Sequence, residues 1–218
     1  MINVLLEAPI MTQSGYGEHS RLVFRALRKI DGVKLYVSPL EWGATSWASS
    51  FDKQEVEDVQ SCINDLMHAM SNNMQPNFDV QIHVGILNEF EKKAPYSICV
   101  TAGVETDRVS AEWLIRTYKG VNKIITPSEH AASGFRDTSY TAINQNTNSE
   151  TLIECNPATV VDVVPYPVKQ KEVKSLEFNL DTEFNFLSVA LLGPRKNIEL
   201  MCKWFVEEFK DDIVGLVV

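Results

Sequence analysis

The sequence lacks the features that mark membrane and secreted proteins. No stretch approaches the run of about 18 apolar residues that crosses a membrane. Residues 1–6 lead directly into a strand-like pattern and carry no basic segment of the kind that opens a signal peptide. We therefore expect a cytoplasmic protein with no transmembrane segment.

Cysteine motifs are also absent. The four cysteines are widely spaced and form no Cys-x-x-Cys pair: Cys62, Cys99, Cys155 and Cys202. This spacing matches neither a zinc site nor a disulfide framework, and it fits a reducing compartment. We predict buried or inert thiols.

Positive charge is in short supply. Acidic residues outnumber basic ones, and the formal net charge is -9. Nucleic acid and anionic membranes both attract a basic protein face, so general binding to either is not expected. A local basic cluster could still hold a phosphate.

What the sequence does contain is an alternation of strand-like and helix-like segments. Strands are predicted over residues 2–7, 33–37, 79–84, 96–101, 123–126 and 159–164. Helices are predicted between them, the first marked at helical spacing by Leu22, Val23, Ala26, Leu27 and Ile30. This order predicts an α/β fold with a Rossmann-like, doubly wound parallel sheet. Residues 138–156, rich in Thr, Asn and Ser, are predicted to be a loop or insertion.

The chain is predicted to have two unequal parts. Residues 1–168 form an N-terminal domain, residues 169–183 a charged linker, and residues 184–218 one strand–helix–strand fragment. Two strands and a helix do not form a domain alone. We therefore expect either a chain truncated relative to a longer architecture or a tail that packs on the first domain. The unpaired edge of the last strand, residues 213–218, also favours a homo-oligomer.

A glycine-containing segment follows the first strand. Gly15, Tyr16 and Gly17 are expected in a loop before a helix that begins near Glu18. Glycines there let backbone N–H groups approach a phosphate or sugar, and the helix N-terminus adds positive potential. Because Ser20 stands where a third glycine would complete a dinucleotide fingerprint, a tight turn without a ligand is the alternative.

Two further segments follow strands at the edge where α/β proteins bind ligands. Glu105 and Asp107 come after the strand over residues 96–101, and they either accept hydroxyl hydrogen bonds or cap the helix near Ser110. His130 follows the strand over residues 123–126, one turn past Ser128, the expected N-cap. It either contacts a ligand or is simply exposed.

A basic turn opens the helix of the C-terminal fragment. Arg195 and Lys196 come after Gly193 and Pro194, between a predicted strand and the helix over residues 194–209. Two cations at a helix N-terminus make a suitable diphosphate site. A solvated basic turn is the alternative.

Taken together, these segments resemble the retaining GT-B glycosyltransferases of the family 4-like type. The resemblance spans nearly the whole chain, and it is most specific in the last two of its blocks. The blocks are Ser-Gly-Tyr-Gly at residues 14–17, residues 83–113 with Glu-Thr-Asp and Ala-Glu-Trp, Ile-Ile-Thr-Pro-Ser-Glu-His at 124–130, Val-Val-Pro-Tyr-Pro-Val at 163–168, and residues 186–198 with Pro-Arg-Lys-Asn-Ile.

The resemblance implies two Rossmann-like domains facing a cleft, with the acceptor held mostly by the first and a nucleotide-sugar by the second. It implies no cofactor and no metal bound by the protein. Lys196 matches the family's diphosphate-binding lysine, and Arg195 adds a second cation. Gly15, Tyr16 and Gly17 match the loop that closes on the donor. Glu105 and His130 are the candidates for the catalytic region.

The sequence departs from the family pattern at three places. Leu191 stands where the family usually has an arginine, and Gly103 and Val104 stand near the position of a frequent histidine. The family's paired glutamates that clasp the nucleotide-sugar would lie beyond Val218. The sequence therefore predicts a glycosyltransferase, or the N-terminal part of one, that is incomplete as a single chain.

Two other functions remain open at this point. One is a non-catalytic module, derived from the same fold, that binds a sugar or a protein. The other is half of a nucleotide-binding oxidoreductase. The second is disfavoured because no carboxylate ends the second strand, where a ribose would be held; Glu41 is the nearest and lies past Pro39.

Overall fold

The computed structural model divides the chain into two compact units, Met1–Val168 and Lys169–Val218. It describes residues 1–43, 46–47, 53–72, 76–102, 104–168, 179–190 and 192–218. Most of the linker predicted over residues 169–183 lies outside the described residues, as do Gly103 and Leu191.

Strands and helices alternate through the first unit. In chain order they are β1 (Ile2–Ala8), α1 (Gly15–Leu27), β2 (Val33–Pro39), α2 (Lys53–Ser71), β3 (Val80–Val84), a 3-10 turn (Leu87–Glu89), β4 (Tyr96–Val100), α3 (Ala111–Thr117), β5 (Lys123–Thr126), α4 (Glu129–Arg136), β6 (Ser139–Ile143), β7 (Glu150–Glu154) and β8 (Val160–Val163).

Six of these strands form one parallel sheet in the order β2-β1-β3-β4-β5-β8. In the centre, Val4 of β1 is paired with Leu35 on one side and Val80 on the other. The apolar runs that predicted these strands suit a sheet whose two faces are both covered. The prediction of an α/β, Rossmann-like doubly wound fold is confirmed.

Strand order decides which face each helix covers. The step from β1 to β2 runs in one direction, whereas the steps β3 to β4, β4 to β5 and β5 to β8 run in the other. Right-handed crossovers therefore place α1 on one face and α3 and α4 on the opposite face. Accordingly, Phe24 of α1 packs against Leu6, while Leu114 of α3 and Phe135 of α4 pack against Ile124.

The segment predicted as a loop or insertion over residues 138–156 contains an antiparallel hairpin of β6 and β7. Its turn contains Asn148 in the left-handed region, with φ of 53°. Tyr140 and Ile153 pack on the core, and the Tyr140 hydroxyl donates to the Val109 carbonyl at 2.7 Å. Its two strands were not predicted because few other side chains of the hairpin face the core, which hides the strand pattern.

The second unit consists of β9 (Phe184–Leu187), a 3-10 turn (Pro194–Lys196), α5 (Ile198–Glu208) and β10 (Val214–Val217). β9 and β10 are parallel neighbours. Phe186 packs on Phe205 and Phe209, with ring centroids 5.8 and 5.2 Å apart. The single helix predicted over residues 194–209 is broken at Asn197, whose φ is 48°.

A polar network crosses the face of the sheet opposite α1. The buried Glu7 carboxylate of β1 accepts from Gln81 of β3 and forms an ion pair with Lys93. The Gln81 side chain also donates to the Glu91 carbonyl at 2.7 Å and accepts from the Lys93 backbone N–H at 2.8 Å. Glu7 therefore holds the segment before β4 against the sheet.

We expect Glu7→Ala to destabilise the protein because it leaves the Gln81 amide and the Lys93 ammonium without their shared acceptor. The free energy of unfolding should fall by about 3 kcal/mol in urea denaturation. Glu112→Ala is the matched control, since it breaks only an exposed pair with Arg116 and should cost about 0.5 kcal/mol or less. Similar small losses in both variants would contradict a structural role for Glu7.

Candidate functional site

The crevice at the carboxyl edge of the first sheet lies where the strand order reverses. Chain connections leave β1 and β3 in opposite directions, and ligands of open α/β sheets bind at such a point. The loop after β1 leads into α1 here, and the loop after β4 lies two strands away. The predicted residues of the first unit, Gly15, Tyr16, Gly17, Glu105 and His130, all follow strands at this edge.

The first helix begins earlier than the sequence predicted. Ser14 is its N-cap and accepts from the Gly17 backbone N–H at 3.0 Å. Ser14 Oγ also lies 2.9 Å from Thr12 Oγ1, which donates to the Pro9 carbonyl. Gly15, Tyr16 and Gly17 therefore form the first turn of α1 instead of a loop before it, and the Ser14 hydroxyl is used as a cap.

The two glycines have different roles. A Cβ added to Gly17 would lie 2.1 Å from the Thr12 carbonyl oxygen, a backbone atom that has little room to move. A Cβ added to Gly15 would meet nothing within 4 Å. Gly17 thus permits a close approach between α1 and the loop after β1, whereas Gly15 is exposed at the start of the helix.

Tyr16 connects α1 to the end of β4. Its hydroxyl lies 3.2 Å from Thr101 Oγ1 and accepts from the Ala102 backbone N–H at 3.2 Å. Its ring packs against Trp42, with centroids 4.9 Å apart. The helix N-terminus is therefore held at a fixed position over the crevice.

Arg21 fixes the loop after β1 by hydrogen bonds to backbone carbonyls of that loop. It is 2% exposed, and its Nη1 donates to the carbonyls of Ile10 and Thr12 at 2.8 and 2.9 Å. The guanidinium also lies over the Trp47 ring, 4.6 Å from the centroid. Burial lowers the pKa of Arg21 from its usual value, and the ion pair with Glu18 opposes this change. Sequence reasoning missed Arg21, because a cation in a helix is usually exposed.

His19 lies two residues after Gly17 and is also buried. Its ring packs edge to face on Tyr166 at 4.7 Å between centroids, and its Nδ1 is buried without a hydrogen-bond partner. Burial lowers the pKa of His19, which favours the neutral imidazole. Sequence reasoning missed it as well, although His19 precedes Leu22 by three residues and so shares the apolar face of α1.

Glu105 and His130 are exposed side chains at the ends of β4 and β5. Ser110, not a carboxylate of that loop, is the N-cap of α3 and accepts from the Trp113 N–H at 3.4 Å. The N-cap position itself is therefore taken by Ser110. His130 is the second residue of α4. The N-cap of α4 is Ser128, as predicted.

Arg195 and Lys196 belong to the second unit and are exposed. They form the 3-10 turn after Gly193, and Asn197 separates them from α5. Both therefore precede the first turn of α5 instead of forming it, and the N–H groups at the start of α5 remain beside them.

Comparison with known proteins gives no assignment for this chain. No protein-family model matches the sequence, and no curated protein matches it. In the part of the chain that the structure describes, no group of three His, Cys, Asp or Glu side chains is arranged to hold a metal ion. Among the same residues, no helix is long and apolar enough to cross a membrane.

We expect Gly17→Ala and Gly15→Ala to differ sharply in stability. The added methyl at residue 17 must displace the Thr12 carbonyl, so Gly17→Ala should lower the free energy of unfolding by about 1–3 kcal/mol in urea. Gly15→Ala meets open space and should be neutral or stabilising by less than about 1 kcal/mol. Equal effects would show that the Gly17–Thr12 contact is not maintained in solution.

Acidification should destabilise the protein through its buried histidines. Because burial lowers the folded-state pKa of His19, its contribution is fully present above the unfolded pKa of about 6.5 and is lost as pH falls below it. His83, 1% exposed, acts in the same direction. We therefore expect the free energy of unfolding to fall between about pH 7.5 and 5.5.

In His19→Phe this fall should be shallower than in the wild type. Urea denaturation of both proteins at several pH values measures the difference. A His19→Phe slope equal to that of the wild type would exclude His19 as a contributor.

Proposed function

We propose that the protein is a glycosyltransferase, or the N-terminal part of one, that transfers a sugar from a nucleotide-sugar to an acceptor hydroxyl. The observation that carries this proposal is the helix N-terminus held over the crevice by the Tyr16 hydroxyl. A helix N-terminus and a phenol at such a crevice suit a hydroxyl-rich ligand.

The donor diphosphate is assigned to Arg195 and Lys196. Both cations precede the N-terminus of α5, so the N–H groups of the first turn and the positive end of the helix dipole add to their charge. The glycosyl–phosphate bond breaks while a bond forms to the acceptor oxygen, and the proton of the acceptor hydroxyl passes to an oxygen of the leaving diphosphate. Negative charge grows on that diphosphate as the bond breaks. Lysine and arginine side chains can stabilise that charge without a bound metal.

The first unit is assigned to the acceptor and the reacting sugar. Gly15 and Tyr16 offer backbone N–H groups and a phenol at the crevice, and Gly17 permits this arrangement. Glu105 and His130 follow neighbouring strands, where they can bind acceptor hydroxyls. Catalysis would then rest mainly on positioning.

A second candidate function is a non-catalytic module that binds a sugar or a protein through the same crevice. The sequence observation that favours it is Leu191, a neutral side chain where the resembled enzymes have an arginine. In this case the crevice of the first unit would bind its ligand without help from Arg195 and Lys196.

We expect a nucleoside diphosphate or its sugar conjugate to raise the melting temperature of the protein. A ligand present at 100 times its Kd stabilises the folded state by about 2.7 kcal/mol. Lys196→Ala should abolish the shift, because one phosphate-binding cation is lost.

Lys210→Ala is the control, since it removes an exposed lysine of the same unit that follows α5. It should leave the shift unchanged. No shift with any nucleotide would count against a donor site and favour the binding module. An equal loss in both variants would show a general charge effect.

A further inference from the structure

An aromatic contact joins α1 to the last residues of the first unit. The Tyr166 ring packs edge to face on the His19 ring, with 4.7 Å between the centroids. His19 is 8% exposed, whereas Tyr166 is 45% exposed. A buried imidazole is therefore covered in part by an exposed side chain close to Val168, where the first unit ends.

The segment that carries Tyr166 is weakly held. We call residues 164–168 the exit segment; all five are exposed, so little surface must be uncovered to detach them. The Val164 N–H donates to the Thr126 carbonyl at 2.8 Å, but the prolines on both sides of Tyr166 have no N–H to donate. The helix and strands beside the imidazole, in contrast, are held by regular backbone hydrogen bonds. The exit segment is therefore the part of this environment that moves most easily.

The surroundings of His19 suit a neutral ring. Its Nδ1 is buried without a hydrogen-bond partner, and burial lowers the pKa of the side chain. In the imidazolium both ring nitrogens carry a proton, so Nδ1 would become a buried, charged donor without an acceptor. Charging the ring therefore favours a state in which water reaches it.

The charged side chains of α1 near the imidazole are paired with each other. Glu18 is the one carboxylate of the helix, and it binds Arg21 and Arg25 at 3.1 and 3.0 Å. Tyr16 lies one turn before the imidazole, and burial together with Tyr16 raises the pKa of Tyr166. The titratable groups that these two elements place around the ring are thus phenols, which are neutral near pH 7, and an ion-paired carboxylate.

The sheet offers no counter-ion either. Ile82 of β3 and the His19 ring line the same apolar groove. Lys123 and Asp162, on the sheet face that α1 covers, are paired with each other at 2.7 Å. The second buried histidine, His83, follows Ile82 in its strand and so points to the opposite face. Among the described residues, the imidazole is therefore covered by uncharged groups and by charges that are already paired.

We propose that protonation of His19 releases the exit segment from α1, so that acid frees the end of the first unit. At neutral pH the imidazole is uncharged and the Tyr166 ring stays packed on it. As the pH falls, water can stabilise the charged ring only after Tyr166 has moved away. The chain that leads to residue 169, where the second unit begins, is then no longer fixed to α1. The inference goes beyond the proposed glycosyl transfer and does not depend on it.

The pH range follows from the two states of His19. In the packed state its pKa is lowered by burial, whereas in the open state it returns to about 6.5. The neutral ring therefore stabilises the packed state above about pH 7, and this contribution is lost as the pH falls below about 6.5. At pH 5.0 the open state should be favoured about 10- to 30-fold more than at pH 7.5.

Amide hydrogen exchange followed by NMR at pH 7.5 and 5.0 tests the proposal. The Val164 N–H reports on the exit segment through its bond to the Thr126 carbonyl. The Leu6 N–H, in the centre of the sheet, reports on global unfolding. Each rate is divided by that of an unstructured peptide at the same pH, which gives a protection factor. We expect the protection of Val164 to fall about 10- to 30-fold on acidification.

Exchange in 0 and 1 M urea separates release of the exit segment from unfolding of the whole unit. Local opening exposes little surface, so the Val164 rate should change by less than about twofold at either pH. Global unfolding exposes far more surface, so the Leu6 rate should rise by more than about fivefold.

Two substitutions locate the effect. His19→Phe keeps a ring against Tyr166 and removes the titration, so the protection of Val164 should differ by less than about twofold between the two pH values. Tyr166→Ala removes the contact and should lower that protection already at pH 7.5, with little further change at pH 5.0. Tyr118→Ala, at an exposed tyrosine that ends α3, is its control and should behave as the wild type does.

Three results would overturn the proposal. The first is protection of Val164 that stays constant or rises on acidification; a rise would show that the imidazolium binds the Tyr166 ring. The second is an equal fall in the wild type and in His19→Phe. The third is a urea dependence of the Val164 rate as steep as that of Leu6. Since no nucleotide or sugar is present, none of these results bears on the proposed transfer activity.

Discussion

The buried guanidinium of Arg21 is the contact on which the carboxyl edge of the first sheet depends. The loop after β1 turns back over the sheet, and the carbonyls of Ile10 and Thr12 point inward, where Arg21 Nη1 donates to both. Without those bonds, two buried carbonyls would be left unpaired at a cost of about 1–3 kcal/mol each. Thr12 in turn contacts Gly17 closely, so the same bonds set where α1 begins.

Tyr16 extends this arrangement across the sheet. Because Gly17 and Thr12 fix the first turn of α1, the Tyr16 ring can reach past β3 to Thr101 and Ala102 at the end of β4. The crevice is therefore bounded by backbone whose position is set by a buried cation, a glycine and one phenol. Such preorganisation reduces the ordering that a ligand must impose when it binds.

The sequence predicted those parts of the fold in which local pattern and burial agree. The six parallel strands were found because most of their residues are apolar, as is usual for the strands of a buried parallel sheet. Ser128 was correctly predicted as the N-cap of α4, because a serine directly before a helix commonly caps it. In each case, the information lies within a few neighbouring residues.

The missed features depend on contacts between distant residues. Arg21 resembles any exposed helix cation until Ile10 and Thr12 are known to surround it. The early start of α1 depends on the hydrogen bonds of Ser14. From the sequence alone, glycines at this position predict a loop, not the first turn of a helix. The β6–β7 hairpin was hidden because Tyr140 and Ile153 are among the few of its side chains that pack on the core.

The first turns of α1 carry both Tyr16, at the crevice, and the buried His19. Tyr16 and His19 are three residues apart on α1, so they lie on the same side of the helix, one above the other. Tyr166 packs on the His19 ring, and its pKa is raised by burial and by nearby Tyr16. Arg21 anchors the loop beneath the same turn, so contacts to the loop after β1, to the end of β4 and to Tyr166 together fix the start of α1.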